Sequence, residues 1–205
     1  GEEIDVEALL EASDKGPIYA ATYRAVHPAL ADGTPVVVGG DFNEPSHLDW
    51  TERWSASGRD RWVANPTDTP LGPAVPWKGS RLLMDPESFR DELELAGPLP
   101  GLRDAYRTLR PDEVRDPGHT WTPRFRNGTR GRGSFDAEGF ASFEAAQRTA
   151  ALDRIDLLYA SDALEPVRIT VVGDQGDPST DLGFTPWPSD HRAVLGTFRW
   201  TPTDE

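Results

Sequence analysis

The chain has 205 residues and 37% hydrophobic content, enough for one ordinary domain or most of a larger one, with seven Trp expected to make its core aromatic. With no Cys it excludes disulfides, thiolate nucleophiles and Cys-based zinc sites. A formal net charge of −14 repels polyanions at long range and disfavours a non-specific grip on duplex DNA, although an acidic cleft still accepts a phosphate when a divalent cation sits between them.

Val6, Leu9 and Leu10 recur at helical spacing behind Asp5, a candidate N-cap, and predict a short helix. From Pro17 to Ala31 the positions Ile18, Ala21, Ala25, Val26, Ala29 and Leu30 predict a helical stripe, kinked or ended near Pro28, with His27 in a structural role. A turn over Asp32 to Pro35 leads into Val36-Val37-Val38, whose β-branched residues read as a buried strand. Gly39 and Gly40 follow, then Asp41-Phe42-Asn43-Glu44-Pro45-Ser46-His47. In extended geometry Asp41 and Asn43 share one face while Phe42 points into the core. A carboxylate and a carboxamide beside bare backbone suit an anion or a metal; an Asx-type turn is the plainer alternative. Helix, turn and strand in quick succession form an α/β pattern.

His47 either faces the cleft or caps a turn, and residues 47–53 suit a short helix. Gly58 to Gly79 is Pro-rich and reads as a surface excursion. Asp85-Pro86-Glu87 is a helix start with Phe89 and Leu93 inward, and a second short helix follows with Leu102, Ala105, Tyr106 and Leu109 inward. His119-Thr120-Trp121-Thr122 reads as a strand, with His119 and Trp121 as candidates for the substrate side. Arg124, Arg126, Arg130 and Arg132 then sit among glycines, as a mobile loop or a phosphate-steering lip. Strands are predicted for Asp153 to Ala160, with Ile155, Leu157 and Tyr159 on one face and Asp156 on the other, and for Leu164 to Gly173, with Val167, Ile169 and Val171 on one face. Asp174, Asp177 and Asp181 fall in an acidic loop that is solvated or binds calcium, and Ser189-Asp190-His191-Arg192 runs into a last strand, Ala193 to Trp200. No apolar run is long enough to cross a bilayer and no secretory signal is visible; Gly1-Glu2-Glu3 carries no initiator Met, so cytoplasm and secretion both stay open.

Three polar groups therefore fall at strand ends: Asp41 with Asn43, Asp156, and Asp190 with His191. Converging on one sheet edge they would form a carboxylate-rich pocket with one imidazole, which a hard divalent cation makes electrostatically tolerable. Other templates fail. Ser189, Asp190 and His191 are adjacent and cannot form a triad with one another. Lys78 follows Trp77 and not Gly, so there is no Walker loop, and no Gly-x-Ser-x-Gly elbow occurs. Pro45 and Ser46 spoil the segment after Asp41 as a calcium loop.

Gly40-Asp41-Phe42-Asn43, Gly118-His119-Thr120-Trp121, Arg154-Ile155-Asp156 and Ser189-Asp190-His191-Arg192, in that order, resemble the C-terminal half of the endonuclease/exonuclease/phosphatase superfamily over roughly Pro17 to Arg199. The resemblance implies a deoxyribonuclease I-like α/β fold, a four-layer αββα sandwich whose N-terminal part is missing here so that 1–205 is the C-terminal portion of a single domain, and hydrolysis of a phosphate ester with Mg²⁺ or Mn²⁺. By similarity Asp41 orients and deprotonates the attacking water and helps hold the metal, and Asn43 holds that group or a phosphoryl oxygen. His191 contacts the phosphate with Asp156 orienting it, and Asp190 is a metal ligand. Substrates served by such proteins are nucleotides, nucleic acids, inositol phosphates and phospholipid head groups. The superfamily's N-terminal Asn and metal-binding Glu have no counterpart in this sequence. The alternatives to a complete enzyme are thus a portion that needs its N-terminal half or a second chain, and a catalytically inactive binding or scaffold domain.

Overall fold

A computed structural model describes residues 16–49, 51, 53, 78–121, 154–175, 180–185, 187–189 and 191–201. The helix expected behind Asp5, most of the Pro-rich excursion, the four arginines from Arg124 to Arg132, Asp177 and Asp190 lie outside these residues.

The first helix, α1 (Gly16–Ala31), runs through Pro28 and is not ended there. Long-range bonds hold its flank: the Arg24 side chain donates to the carbonyls of Leu93 (3.0 Å) and Glu92 (2.7 Å), and His27 Nε2 lies 3.0 Å from the Pro98 carbonyl. These contacts, made in the turn that leads into the proline, outweigh its tendency to break the helix. Of the stripe expected, Leu30 is buried and Val26 packs against the core, but the first turns of the helix bury a different face. Tyr19, Ala20, Tyr23 and Leu30 face inward, whereas Ile18 is 66% exposed. Large aromatic rings bury more apolar area than alanines, so they set which face turns in. The aromatic core is accordingly built from tyrosine: Tyr19, Tyr23, Tyr106 and Tyr159 are all buried, while Trp200 stands 62% exposed.

Strand β1 (Val37–Asp41) is not buried as its Val run suggested; Val37 is 45% exposed. Among the described residues β1 pairs only with β3 (Asp156–Ala160), in an antiparallel register from Val37 opposite Ala160 to Asp41 opposite Asp156. On its other side β3 takes β2 (Arg103–Asp104), giving the order β1–β3–β2. An edge strand has one neighbour, and a Val run there stays partly open. Between β1 and β2 lie α2 (Lys78–Met84), a 3-10 turn (Pro86–Phe89) and α3 (Arg90–Leu93). Helix α2 was not anticipated, and the helix expected from Asp85 is split in two, with Leu93 buried as foreseen. Helix α4 (Ala105–Leu109) is capped by Asp104, whose side chain accepts from Arg107 N; Leu109, expected inside, is 39% exposed because the helix stops after one turn.

The second sheet has the order β5–β4–β6, from β4 (Leu164–Asp174), β5 (Leu182–Phe184) and β6 (Ala193–Trp200). Ile169 and Val171 are buried as expected, but a register shift between Pro166 and Arg168 turns Val167 outward, 46% exposed. The acidic loop is partly this strand β5, and Asp181 is fastened by Arg110 (2.9 Å) and by Val171 N (2.8 Å).

Strand β3 joins the two cores. Leu157 and Tyr159 pack with Tyr19, Tyr23, Leu82, Leu83 and Leu93, and Phe42 joins that core as foreseen, stacked 5.3 Å from Tyr19. Leu158 points the opposite way, toward Tyr106, Ile169, Val171, Val194 and Phe198. Burying a Leu such as Leu157 fully contributes about 1.5–3 kcal/mol, so both faces of β3 are strongly specified. The result is a mixed α/β architecture with two three-stranded sheets among the described residues.

Candidate active site

Strand register brings the first two acids together. Asp41 is the last residue of β1 and Asp156 the first of β3, and they face one another across the antiparallel pair. Phe42 N donates to the Ile155 carbonyl at 2.8 Å, continuing the ladder one residue further. His191 arrives from the approach to β6: it bridges Trp121, and its carbonyl accepts from Trp187 Nε1 at 2.7 Å. Its Nδ1 lies 3.0 Å from Asp156 Oδ2, with both side chains half-buried. A carboxylate only accepts, so Nδ1 carries the proton and Nε2, across the ring, is left for another partner.

Asn43 is not extended. Its φ of 49° places it in the left-handed region, which Asn tolerates better than most side chains. This bend makes the Asx turn: Asn43 N donates to Asp41 Oδ1 at 2.8 Å, and Asn43 Nδ2 donates to Asp41 Oδ2 at 3.1 Å. The turn and the polar site, which the sequence poses as alternatives, are one structure. Asn43 engages both oxygens of an exposed carboxylate and holds its plane.

One ligand atom from each of Asp41, Asp156 and His191 lies within 4.8 Å of the others. The two carboxylates are oxygen donors of the kind that suit a hard cation such as Mg²⁺ or Mn²⁺, while the His191 ring has its Nδ1 turned to Asp156.

The remaining candidates divide. His47 is outside the cluster and is tied down, its backbone N and its Nδ1 both meeting Ser80 Oγ (2.8 and 2.9 Å). Burial, then the nearby Arg81 charge, hold its imidazole below the ordinary histidine range, which favours the neutral ring. His119 is buried and its carbonyl accepts from Arg192 Nη1, while Trp121 is half-buried beside His191.

Sequence reasoning missed the group beneath the site. Arg154, just before the Asp156 strand, is almost wholly buried between Asp49 and Asp104. Its Nε lies 3.1 Å from each Asp49 oxygen, its Nη1 is 3.2 Å from Asp104 Oδ1, and its Nη2 bonds both acids. Arg107 Nε adds a 2.6 Å bond to Asp49 and its other nitrogens donate to the carbonyls of Arg110, Asp116 and Pro117. Burial by itself would raise the Asp104 carboxyl, but the Arg154 charge and hydrogen bonds outweigh it and hold it below the usual range. The only signal in the sequence was an arginine within the strand predicted from Asp153 to Ala160.

Two carboxylates and one imidazole thus meet where strands of the first sheet begin and end. A family model described as the endonuclease/exonuclease/phosphatase family matches residues 6–191, and the chain belongs to that family. The family is generally hydrolytic, of phosphoesterase type, and usually uses a divalent metal. The chain is also similar to the uncharacterized protein F14F9.5 of Caenorhabditis elegans, 27% identical over 170 residues that cover 82% of this chain and 41% of that protein. It therefore spans about two fifths of that relative's length. Among the described residues no helix is long and apolar enough to cross a membrane.

Proposed function

We propose that residues 1–205 form one domain, the C-terminal portion of a deoxyribonuclease I-like αββα sandwich, which hydrolyses phosphodiesters or phosphomonoesters with Mg²⁺ or Mn²⁺. The observation that carries this reading is the meeting of Asp41, Asp156 and His191 from three distant stretches of chain. The family match supports the reaction class.

In this reading Asp41 and Asp190 hold the cation, which supplies charge neutralisation on the phosphate oxygens. Asp41, held by Asn43, is placed to take a proton from the attacking water. Asp156 orients the His191 ring so that Nε2 is presented to a phosphoryl oxygen, where it offsets charge developing in the transition state. Trp121, half-buried next to His191, is the candidate that supports a substrate-side role; His47 is spoken for by Ser80 and His119 by burial. The substrate group is a phosphate ester of the nucleotide, nucleic-acid, inositol phosphate or phospholipid head-group kind, and the net charge of −14 favours the small ones over long duplex DNA. The relative is about twice as long, and an upstream segment or a second chain completing the sheet belongs to the same reading.

The test is turnover of bis(p-nitrophenyl) phosphate and p-nitrophenyl phosphate by the full chain with Mn²⁺ or Mg²⁺. Hydrolysis that stops on adding a chelator and returns with metal is expected; hydrolysis indifferent to chelation overturns the metal assignment. A chain that neither takes up Mn²⁺ in calorimetry nor turns over either ester, alone or with the upstream region restored, is instead an inactive binding or scaffold domain.

A further inference from the structure

The two halves of the site come from different sheets. Asp156 opens β3 in the first, and His191 lies just before β6 in the second. A 3.0 Å contact between such side chains needs something that fixes one sheet against the other at this point. Thr120 touches both. Its Oγ1 accepts from two consecutive backbone amides, Ile155 N at 3.0 Å and Asp156 N at 2.9 Å. Its carbonyl accepts from Arg192 N at 2.6 Å, and the neighbouring His119 carbonyl accepts from Arg192 Nη1. Trp121, next in the chain, bridges His191 itself. The Thr120 side chain is fully buried, so losing its hydroxyl leaves the amides of Ile155 and Asp156 without that acceptor in a place solvent does not reach.

We infer that Thr120 is the positioning residue of this site: its hydroxyl sets where Asp156 begins and its carbonyl sets where His191 ends, which aligns the carboxylate with the imidazole. This rests on the reading of Asp156 and His191 as a working pair. Upstream, Gly118 makes the placement sterically feasible. Its φ is 66°, and a Cβ there would lie 2.2 Å from the Tyr106 ring, so the chain passes under that ring only as glycine.

The experiment compares Thr120→Val, Thr120→Ser and Thr120→Ala in the full chain. Long-range proton–nitrogen NMR spectra of ¹⁵N-histidine-labelled, metal-free protein read the hydrogen-bonded Nδ1 of His191, assigned by its disappearance in His191→Gln. Turnover of bis(p-nitrophenyl) phosphate with Mn²⁺ is the second readout. Thr120→Ser keeps the acceptor and is expected to retain the His191 signature and turnover within about threefold, while Val and Ala lose the signature and about 10- to 100-fold in kcat with KM little changed. Ser and Ala both lack the methyl group and differ only in the hydroxyl, so this pair decides the matter if Thr120→Val fails to fold. Equal behaviour of Ser and Ala, or a wild-type His191 spectrum in Ala or Val, overturns the inference. A wild-type protein with the signature and no turnover counts against the hydrolase reading alone, since the spectra still report the alignment.

Discussion

Two polar clusters lie a few residues apart at the start of β3. Arg154, Asp49, Asp104 and Arg107 form one, and Asp41, Asp156 and His191 form the other. The first is buried, with each guanidinium and carboxylate met by several partners. The second reaches solvent: Asp41 is exposed, and the Asp156 and His191 side chains remain 20% and 28% exposed. Burial of charge is tolerated only when every group is paired, so a closed network has no capacity left for a ligand. A cluster at the rim keeps unfilled acceptor positions and an imidazole nitrogen, which is what binding or proton transfer requires. The first cluster anchors the strand, and the second uses it.

The sharpest way to break this contrast is to mutate each cluster and measure both stability and turnover. Asp41→Ala and His191→Ala are expected to lower phosphodiester turnover by about 10²- to 10⁴-fold. Their denaturant midpoints should move little, because exposed or half-buried sites typically change stability by no more than about 0.5 kcal/mol. Wild-type rates in both would remove the site. Arg154→Met should do the reverse, lowering unfolding free energy by about 3–5 kcal/mol in guanidinium titrations, because it strands two buried carboxylates. A loss below about 1 kcal/mol would mean the cluster is not the anchor described.

Smaller effects sharpen the picture. Gly118→Ala places a Cβ against the Tyr106 ring at a positive φ, and a loss of about 1–3 kcal/mol in thermal unfolding is expected. His47 gives a pH signature. Its folded-state affinity for protons is depressed by burial and by Arg81, so the unfolded chain binds the proton first. The associated stability is fully present above the unfolded value of about 6.5 and is lost as pH falls through the lower folded value. His47→Asn, which cannot titrate, should flatten the stability profile between about pH 7 and 5 by up to about 1.4 kcal/mol per pH unit. Parallel profiles for the two proteins would show that the ring is not held neutral.

Much of the site is legible in the sequence. Asp41, Asn43, Asp156 and His191 sit in short polar motifs next to apolar runs, a contrast that a one-dimensional pattern displays directly. The last strand, Ala193–Trp200, has the limits expected of it. Less legible are features that depend on a neighbour far along the chain. Tyr19 and Tyr23 outrank the alanines of α1 because Leu157 and Tyr159 lie opposite them. Val36 to Val38 reads as buried since β-branched residues usually are, but β1 has a single paired neighbour among the described residues. Asn43 is expected to be extended, and its side chain bends the backbone instead by bonding Asp41.

Residue order alone determined the family, the strand-end placement of the acids and the chemistry they offer, because local hydrophobic pattern and short polar motifs are properties of neighbouring residues. Only the tertiary structure decided that Asp41 faces Asp156, that His191 closes on it from another sheet, and that Arg154 and Thr120 brace the meeting point. Those facts depend on strand register and on which buried donors find acceptors dozens of residues away, and no local pattern encodes such pairings.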